Sequence, residues 1–148
     1  MTPDTLARIH AASFTQPRPW TETEFTDLAR DPANFLIAYT EGFLLGRTVL
    51  DEAELLTLAV APEARRLGIG TALLSRFETE ARTRGAVTAF LEVASDNAPA
   101  QALYRAAGWQ DAGRRRNYYA AGIDAVVMRK DLLESRGAAP DPGIFMPK

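Results

Sequence analysis

The sequence predicts a mixed α/β domain in which helices cover both faces of one mostly antiparallel sheet. Apolar, β-rich runs alternate along the chain with segments of helical period. The first three apolar runs follow one another across short polar turns, which is typical of antiparallel hairpins. A later run, 86–94, is almost entirely apolar, as expected of a strand that is buried on both faces. Such a sheet requires helices on each side of it.

Two short helices are predicted before the first strand. Residues 4–13 carry a partial apolar stripe, and the helix-breaking residues Pro17 and Pro19 follow. Thr21 and Glu24 have the spacing of a capping box, so a second helix is expected at about 22–30.

The middle of the chain contains three predicted strands and then a long helix. The strands are expected at 34–40, 43–50 and 54–60. Apolar residues then recur every four positions from Ile69 to Ala81, which predicts an amphipathic helix over 68–84.

The last third of the chain is predicted to add the buried strand, a short helix and a final hairpin. The helix is expected at 99–107, and the hairpin strands at 109–119 and 123–130. From residue 135 onward, three prolines and two glycines indicate a loose tail. We therefore expect one domain over residues 1–134 and a flexible tail over residues 135–148.

The composition excludes several classes of function. The 148 residues include no cysteine and one histidine, so thiolate nucleophiles and multi-histidine metal sites are excluded, and no metal is expected. A net charge of −2 argues against bulk attraction to nucleic acid or to an acidic membrane. The N-terminus does not resemble a secretory signal, and no run of 18 apolar residues is present. A cytoplasmic protein is therefore expected.

The most informative motif is a glycine-containing turn between a strand and the long helix. It reads Arg65-Arg66-Leu67-Gly68-Ile69-Gly70-Thr71. Glycine has no Cβ and lets the backbone approach a bulky ligand, and the N–H groups at a helix N-terminus favour a phosphate. The turn matches neither the P-loop nor the dinucleotide fingerprint. Taken alone, a Gly-x-Gly turn is more often an ordinary strand-to-helix connection with solvated arginines.

Three other residues allow both a structural and a functional interpretation. Glu92 lies near the C-terminal end of the apolar strand, where a carboxylate is costly unless it is solvated, paired or functional. It is therefore either a solvated strand end or a general base. Asn97 has the position of a helix N-cap. Tyr104, on helix 99–107, has the apolar periodicity of a packed core residue.

These motifs together resemble the GNAT superfamily of acetyltransferases. Val60-x-Pro62 followed by Arg65-x-x-Gly68-x-Gly70 is similar to the pyrophosphate-binding signature of that superfamily. The segment LEVASDNAPAQALYRAAGW, from Leu91 to Trp109, is similar to its next strand, loop and helix. The resemblance covers about 20–131, roughly three-quarters of the chain.

Within GNAT, the chain resembles the RimI-type ribosomal-protein-alanine N-acetyltransferases. Three features carry this narrower resemblance. They are the spacing LEV-x-x-x-N-x-x-A-x-x-L-Y from Leu91 to Tyr104, the run Arg-Asn-Tyr-Tyr from Arg116 to Tyr119, and Pro19-Trp20 before the second helix.

The resemblance implies an enzyme that moves acetyl from acetyl-CoA to a protein N-terminal α-amine by direct attack. It implies Glu92 as the general base and Tyr104 as the general acid. The implied cofactor-binding residues are Leu58, Ala59, Val60, Arg65, Arg66, Leu67, Gly68, Ile69, Gly70, Thr71, Asn97 and Tyr104. Tyr118 and Tyr119 are candidates for holding the acceptor. Trp20 is either another wall of the acceptor groove or a hydrophobic plug between helices.

The chain departs from the GNAT family at its start, and the sequence also allows other acceptors and one other function. GNAT proteins usually begin with a strand before the first helix, and here the first edge strand of the GNAT fold is expected to be missing. A small amine, an antibiotic or an internal lysine could be the acceptor, and a non-catalytic acetyl-CoA-binding module is an alternative to an enzyme. The cluster Arg114–Arg116 is interpreted as a solvated face, so no nucleic acid or membrane partner is expected. A monomer or weak dimer is expected.

Overall fold

The computed structural model describes residues 1–13, 20–65 and 68–133. The helices are α1 (Pro3–Ser13), α2 (Glu22–Arg30), α3 (Ile69–Thr83) and α4 (Ala98–Ala106), with a short 3-10 turn at Pro62–Ala64. The strands are β1 (Asn34–Tyr39), β2 (Gly42–Val49), β3 (Glu52–Val60), β4 (Thr88–Ala94), β5 (Gln110–Ala120) and β6 (Ile123–Asp131). Four predicted features lie outside the described residues: the helix break at Pro17 and Pro19, Arg66, Leu67, and the tail at 135–148.

The predicted helices and strands are all present, and their ends agree with the prediction to within two residues. The second helix shows why local sequence signals were enough to locate the start of a helix. Thr21 Oγ1 accepts a hydrogen bond from the Glu24 N–H at 3.2 Å, and Glu24 Oε1 accepts one from the Thr21 N–H at 2.9 Å. This reciprocal capping box starts α2 where the sequence indicated.

The six strands form one sheet in the order β1-β2-β3-β4-β6-β5. The pair β3–β4 is parallel, and the other neighbouring pairs are antiparallel. The mixed, mostly antiparallel sheet is therefore confirmed. Strand β1 forms one edge, and the described residues before it contain α1 and α2 but no strand. In the described residues, the sheet therefore begins with β1.

Helices pack on both faces of the sheet, as predicted. Phe43 and Leu44 are consecutive on β2 and therefore point to opposite faces. Phe43 joins one buried cluster with Leu6 and Phe25 from α1 and α2. Leu44 joins the larger cluster, to which α3 contributes residues such as Phe77. Each face of the sheet thus buries its apolar side chains under its own helices.

A bulge interrupts β3 at its centre. Leu45 of β2 stands opposite Thr57, whereas the next residue, Gly46, stands opposite Leu55. Leu56 is therefore the extra residue on β3. A bulge of this kind bends the strand and increases its twist.

The bulge also reverses which residues of β3 face the larger core. Ala53 and Leu55 belong to that core before the bulge, while Leu58 and Val60 pack against it afterwards. The switch from odd to even positions is the expected effect of one inserted residue on a two-residue period. The second half of β3 therefore presents a different set of side chains from the one that strict alternation predicts.

Candidate active site

A cleft opens between β3 and β4 just beyond the bulge. The two strands pair only as far as Leu55 and Leu91. Past these residues, both strands line a cavity of about 100 Å³ instead of pairing with each other. The lining includes Leu56, Leu58, Glu92, Asn97, Tyr104 and Tyr119.

A larger groove of about 560 Å³ adjoins this cleft. The two cavities share the lining residues Leu58, Asn97, Ala100 and Leu103. The groove brings together the following residues that the sequence assigned to the cofactor: Leu58, Ala59, Val60, Arg65, Gly68, Ile69, Gly70, Thr71 and Asn97. Tyr104, the remaining described residue of that set, lines the cleft instead.

The N-terminus of α3 forms one end of the groove. Gly68 precedes the helix with a φ of +80°, a left-handed conformation that glycine adopts without steric cost. The Ala72 N–H donates to the Gly68 carbonyl at 3.1 Å, so the three N–H groups before Ala72 have no acceptor inside the helix. Together with the helix dipole, these groups favour an anionic ligand such as a phosphate.

Gly70 has a packing role that the sequence did not indicate. A Cβ atom at this position would lie 3.1 Å from Leu103 Cδ2, closer than most such contacts. Glycine therefore lets the first turn of α3 approach α4. The sequence analysis assigned Gly70 to the approach of a ligand, whereas the structure shows its Cα facing a neighbouring helix.

Arg65 ties the turn to the end of β3. Its Nε donates to the Val60 carbonyl at 3.2 Å, while the side chain remains exposed at the groove. The arginine is thus positioned by the backbone of a residue that lines the same groove. This places a positive charge beside the N-terminus of α3.

Glu92 is paired with a residue that the sequence analysis interpreted as part of a solvated face. Its Oε2 lies 2.6 Å from Nε of Arg115, and its side chain is only 22% exposed. Arg115 lies on β5, so its side chain reaches across β6 to the buried strand β4. The Arg115 guanidinium also stands 5.4 Å above the Tyr118 ring.

Tyr104 packs in the larger core and also lines the cleft. The residue is 6% exposed and belongs to the larger core. Burial, and secondarily the nearby Tyr119 phenol, raises the pKa of Tyr104 well above its usual value. Its hydroxyl makes no hydrogen bond to another described residue, and the side chain lines the cleft. The phenol is therefore protonated throughout the neutral range.

Tyr119 and Tyr118 lie at the other side of Glu92. Burial first, then the negative charge of Glu92 and the Tyr118 phenol, raises the pKa of Tyr119 to about 12. The two tyrosine rings meet edge-on, with centroids 5.2 Å apart. Tyr119 lines the cleft with Glu92, and Tyr118 is 52% exposed. Tyr119 is thus adjacent to the predicted base, and Tyr118 is adjacent to Arg115, the ion-pair partner of that base.

Glu54 lies near the ion pair of Glu92 and Arg115, and its place there was not predicted from the sequence. It stands opposite Phe90 in the β3–β4 register, two residues before Glu92. Desolvation, followed by the negative charge of Glu92, raises the pKa of Glu54. The nearby positive charges of Arg47 and Arg115 act in the opposite direction. Only the strand register could have revealed this neighbour, because the two residues are far apart in sequence.

Trp20 packs in the smaller core between helices. Its ring stacks on His10 with centroids 5.1 Å apart, and its backbone N–H donates to His10 Nδ1 at 3.0 Å. Nδ1 is therefore an acceptor, so the ring proton lies on Nε2, which donates to Thr57 Oγ1 at 3.0 Å. These contacts match the interpretation of Trp20 as a plug, and its role as an acceptor wall stays a prediction.

Asn97 caps a helix, as its position predicted, while its role in cofactor binding stays a prediction. Its Oδ1 accepts a hydrogen bond from the Ala100 N–H at 3.1 Å, which confirms it as the N-cap of α4. It also lines both the cleft and the groove. The cap fixes the start of the helix that carries Tyr104.

Two negative findings apply to residues 1–13, 20–65 and 68–133. No group of three or more histidine, cysteine, aspartate or glutamate side chains could hold a metal ion there. No helix in those ranges is long and apolar enough to cross a membrane.

The comparisons with known proteins establish the family. The chain matches the Acetyltransferase (GNAT) family over residues 4–109 and belongs to that family. It is 37% identical over 134 residues to the [Ribosomal protein bS18]-alanine N-acetyltransferase of Escherichia coli K12, covering 86% of this chain and 90% of the relative. It is 38% identical over 135 residues to the N-alpha-acetyltransferase RimI of Mycobacterium tuberculosis, covering 84% of each.

The same relationship holds in three dimensions. The crystal structure of the ribosomal-protein-S18-alanine N-acetyltransferase from Escherichia coli superposes with a TM-score of 0.75 and 33% identity. That superposition covers 85% of this chain and 84% of the other. The protein is an acetyl-CoA-dependent N-acetyltransferase, and acetyl-CoA is its acetyl donor.

Proposed function

We propose that the protein acetylates the N-terminal α-amine of a protein, namely a ribosomal protein that begins with alanine. The observation that carries the proposal is the shared cleft of Glu92, Tyr104 and Tyr119 at the end of the cofactor groove. The names of the two relatives describe this activity for those proteins.

The groove supplies a binding site for the acetyl donor. The N–H groups at the start of α3 and the charge of Arg65 would hold the pyrophosphate of acetyl-CoA. The backbone of Leu58, Ala59 and Val60 runs past the point where β3 and β4 stop pairing. It would hold the pantetheine arm and polarise the thioester carbonyl toward the oxyanion that forms during attack.

Transfer then takes place in the adjoining cleft without a covalent enzyme intermediate. Glu92 accepts a proton from the acceptor ammonium, directly or through water, and the free amine attacks the thioester carbon. A C–N bond forms and the C–S bond breaks, and the surplus proton on the new amide nitrogen returns to the Tyr104 oxygen, directly or through water, after that phenol has protonated the thiolate. Tyr104 donates its proton to the departing thiolate, and the raised pKa of this phenol keeps the proton available until that step.

An α-amine suits this chemistry better than a lysine. The ordinary pKa is about 8 for an α-amine and about 10.4 for a lysine side chain. At neutral pH the fraction of free lysine amine is therefore roughly two to three hundred times smaller. Proton transfer to a carboxylate base is therefore less unfavourable from an α-amine than from a lysine. We also propose that the enzyme acts in the cytoplasm, where ribosomal proteins are made, and that it is a monomer or weak dimer.

An acetyl-transfer screen tests the acceptor. We would compare peptides that begin with alanine, the same peptides with a blocked N-terminus and an internal lysine, and polyamines. Mass spectrometry should locate the acetyl group on the alanine α-amine. Faster transfer to lysine peptides or polyamines would contradict the proposal, and binding of acetyl-CoA without any turnover would indicate a non-catalytic module.

A further inference from the structure

The β5–β6 hairpin is irregular beside the predicted acceptor tyrosines. The regular pairs on either side are Arg115 with Ala125 and Ala120 with Ile123. Between them, the four residues 116–119 stand opposite one residue, Asp124. Three surplus residues must therefore bulge out of β5. Tyr118 and Tyr119 are part of this bulge, so its conformation decides where their rings lie.

The carboxylate of Asp124 holds the bulge from the opposite strand. Its Oδ1 accepts a hydrogen bond from the Asn117 N–H at 2.9 Å, and its Oδ2 accepts one from Arg114 Nε at 3.1 Å. The bond from the Asn117 amide, assisted by Arg114, lowers the pKa of Asp124. The side chain is therefore an ionised acceptor at neutral pH, and charge-assisted hydrogen bonds of this kind are the stronger ones.

Asn117 completes the clasp at the tip of the hairpin. It has a φ of +51°, in the left-handed region that asparagine tolerates better than most residues. Its Oδ1 accepts a hydrogen bond from the Gly122 N–H at 2.7 Å. The backbone of Asn117 is thus bound to Asp124 while its side chain closes the turn. The next two residues in the chain are the tyrosines.

Asp124 also ties the hairpin to the turn that precedes α4. Its N–H donates to Ser95 Oγ at 2.9 Å, and its carbonyl accepts from the Ser95 N–H at 2.8 Å. Ser95 directly follows β4 and lies two residues before Asn97. One residue therefore connects the acceptor side of the cleft to the turn that lines the cofactor groove.

We propose that Asp124 is a positioning residue for the acceptor, because its carboxylate holds the β5 bulge in the shape that places Tyr119 beside Glu92 and Tyr118 against Arg115. Asp124 does not line the cleft and has no contact with the reacting groups. It acts through the tyrosines. The inference rests on the proposed function in one respect, namely that Tyr118 and Tyr119 contact the acceptor.

Steady-state kinetics with an alanine peptide and acetyl-CoA test this role. Asp124→Ala should raise the KM for the peptide about tenfold or more, as expected when positioning groups are displaced, with little change in kcat. The KM for acetyl-CoA should stay within about twofold, because the groove lies on the other side of the cleft. Asp124→Asn keeps an oxygen for the Asn117 N–H and should restore the peptide KM to within about threefold of wild type.

Arg114→Gln is the matched control. The Arg114 side chain is 56% exposed and is the other hydrogen-bond partner of the Asp124 carboxylate. Its removal leaves the bond between Asp124 and the Asn117 N–H in place. Its kinetics should resemble those of the wild type, because exposed ion pairs contribute little. A normal peptide KM in Asp124→Ala would overturn the proposal. An equal loss for peptide and acetyl-CoA would also overturn it, since that result describes a purely structural residue.

Hydrogen exchange provides a readout that does not depend on the acceptor. Exchange over residues 116–119 should be faster in Asp124→Ala than in wild type and unchanged in Arg114→Gln. Unchanged exchange in Asp124→Ala would overturn the clasp even if peptides are acetylated. Conversely, a wild-type enzyme that acetylates no peptide would refute the proposed function and leave this measurement valid. If Asp124→Ala does not fold, Asp124→Leu fills a similar volume without an acceptor for the Asn117 N–H, and a wild-type peptide KM in that variant overturns the proposal.

Discussion

The Nε atom of Arg115 lies 2.6 Å from Oε2 of Glu92, and this ion pair joins an edge strand to a strand inside the sheet. The arginine side chain is 60% exposed, so the pair contributes little to stability. The ion pair instead sets the position of the Glu92 carboxylate and the local balance of charge. It holds the Glu92 carboxylate at the cleft beside Tyr119 and brings a positive charge to a group that otherwise contains two glutamates, Glu54 and Glu92.

The first prediction concerns the base. Glu92→Gln should lower turnover by about 10²- to 10⁴-fold near neutral pH, the range typical of a lost acid or base. The loss should shrink as pH rises, because the acceptor amine then deprotonates without help. Turnover measured from pH 6 to 9.5, beside acetyl-CoA affinity by calorimetry, checks this. A loss of the same size at every pH, or no loss, would refute the assignment of Glu92 as base.

The second prediction concerns the acid. Tyr104→Phe removes the hydroxyl and keeps the ring, so the core should remain packed and acetyl-CoA should bind almost normally. Turnover should fall by about 10²- to 10⁴-fold at all pH values, because the variant lacks the hydroxyl proposed to protonate the thiolate. Near-normal turnover across the pH range would leave Tyr104 as a core residue, with water as the donor.

The third prediction separates charge from bulk at the start of α3. Gly70→Asn and Gly70→Asp place side chains of similar size against Leu103, but only the aspartate adds a negative charge. Both should bind acetyl-CoA less well than wild type. The aspartate variant should bind about tenfold or more weakly than the asparagine variant if a pyrophosphate occupies this end of the groove. Equal affinities in two folded variants would argue against phosphate binding here.

The fourth prediction concerns the pH dependence of stability. Desolvation and Glu92 raise the pKa of Glu54 in the folded state. The folded protein therefore binds this proton more tightly than the unfolded chain, and ionisation of Glu54 lowers the free energy of unfolding as pH rises through its unfolded pKa of about 4.3. Glu54→Gln removes this cost and should raise the Tm at pH 7.5. The gain should disappear at a pH below that unfolded value.

Glu52→Gln is the control for that experiment, since it removes a carboxylate of the same strand that stands opposite Thr88, four residues before Glu92. It should leave the Tm nearly unchanged at both pH values. A Glu54→Gln variant with a lower Tm at pH 7.5 than wild type would show that the carboxylate stabilises the fold, contrary to the direction of its pKa shift.

The fifth prediction concerns a buried ion pair away from the cleft. Lys130 Nζ lies 2.9 Å from Glu78 Oε2 and donates to the Ala107 carbonyl at 2.6 Å. Lys130→Met leaves Glu78 buried with a weaker partner, Arg82 at 3.6 Å, and should lower the free energy of unfolding by about 3 kcal/mol. Adding Glu78→Gln should recover part of the loss. Denaturant unfolding checks both variants, and additive losses would mean that the pair is not coupled.

The sequence by itself determined the helices and strands and the position of the glycine-containing turn. Those signals are local: a capping box at Thr21 and Glu24, four-residue apolar periodicity in α3, and a Gly-x-Gly motif between a strand and that helix. The catalytic candidates Glu92 and Tyr104 were also found locally, because a carboxylate in an apolar strand and a tyrosine in a matched motif are visible without any partner.

Only the tertiary structure decided which residues surround those candidates. Arg115 reaches Glu92 because β5 lies beyond β6 in the sheet, and Glu54 neighbours Glu92 because of one particular register. The bulge at Leu56 and the surplus residues opposite Asp124 leave no sequence signal, yet they open the cleft and place its tyrosines. The physical reason is that register and strand order depend on contacts between distant segments. A one-residue shift in pairing sends every later side chain to the other face of the sheet.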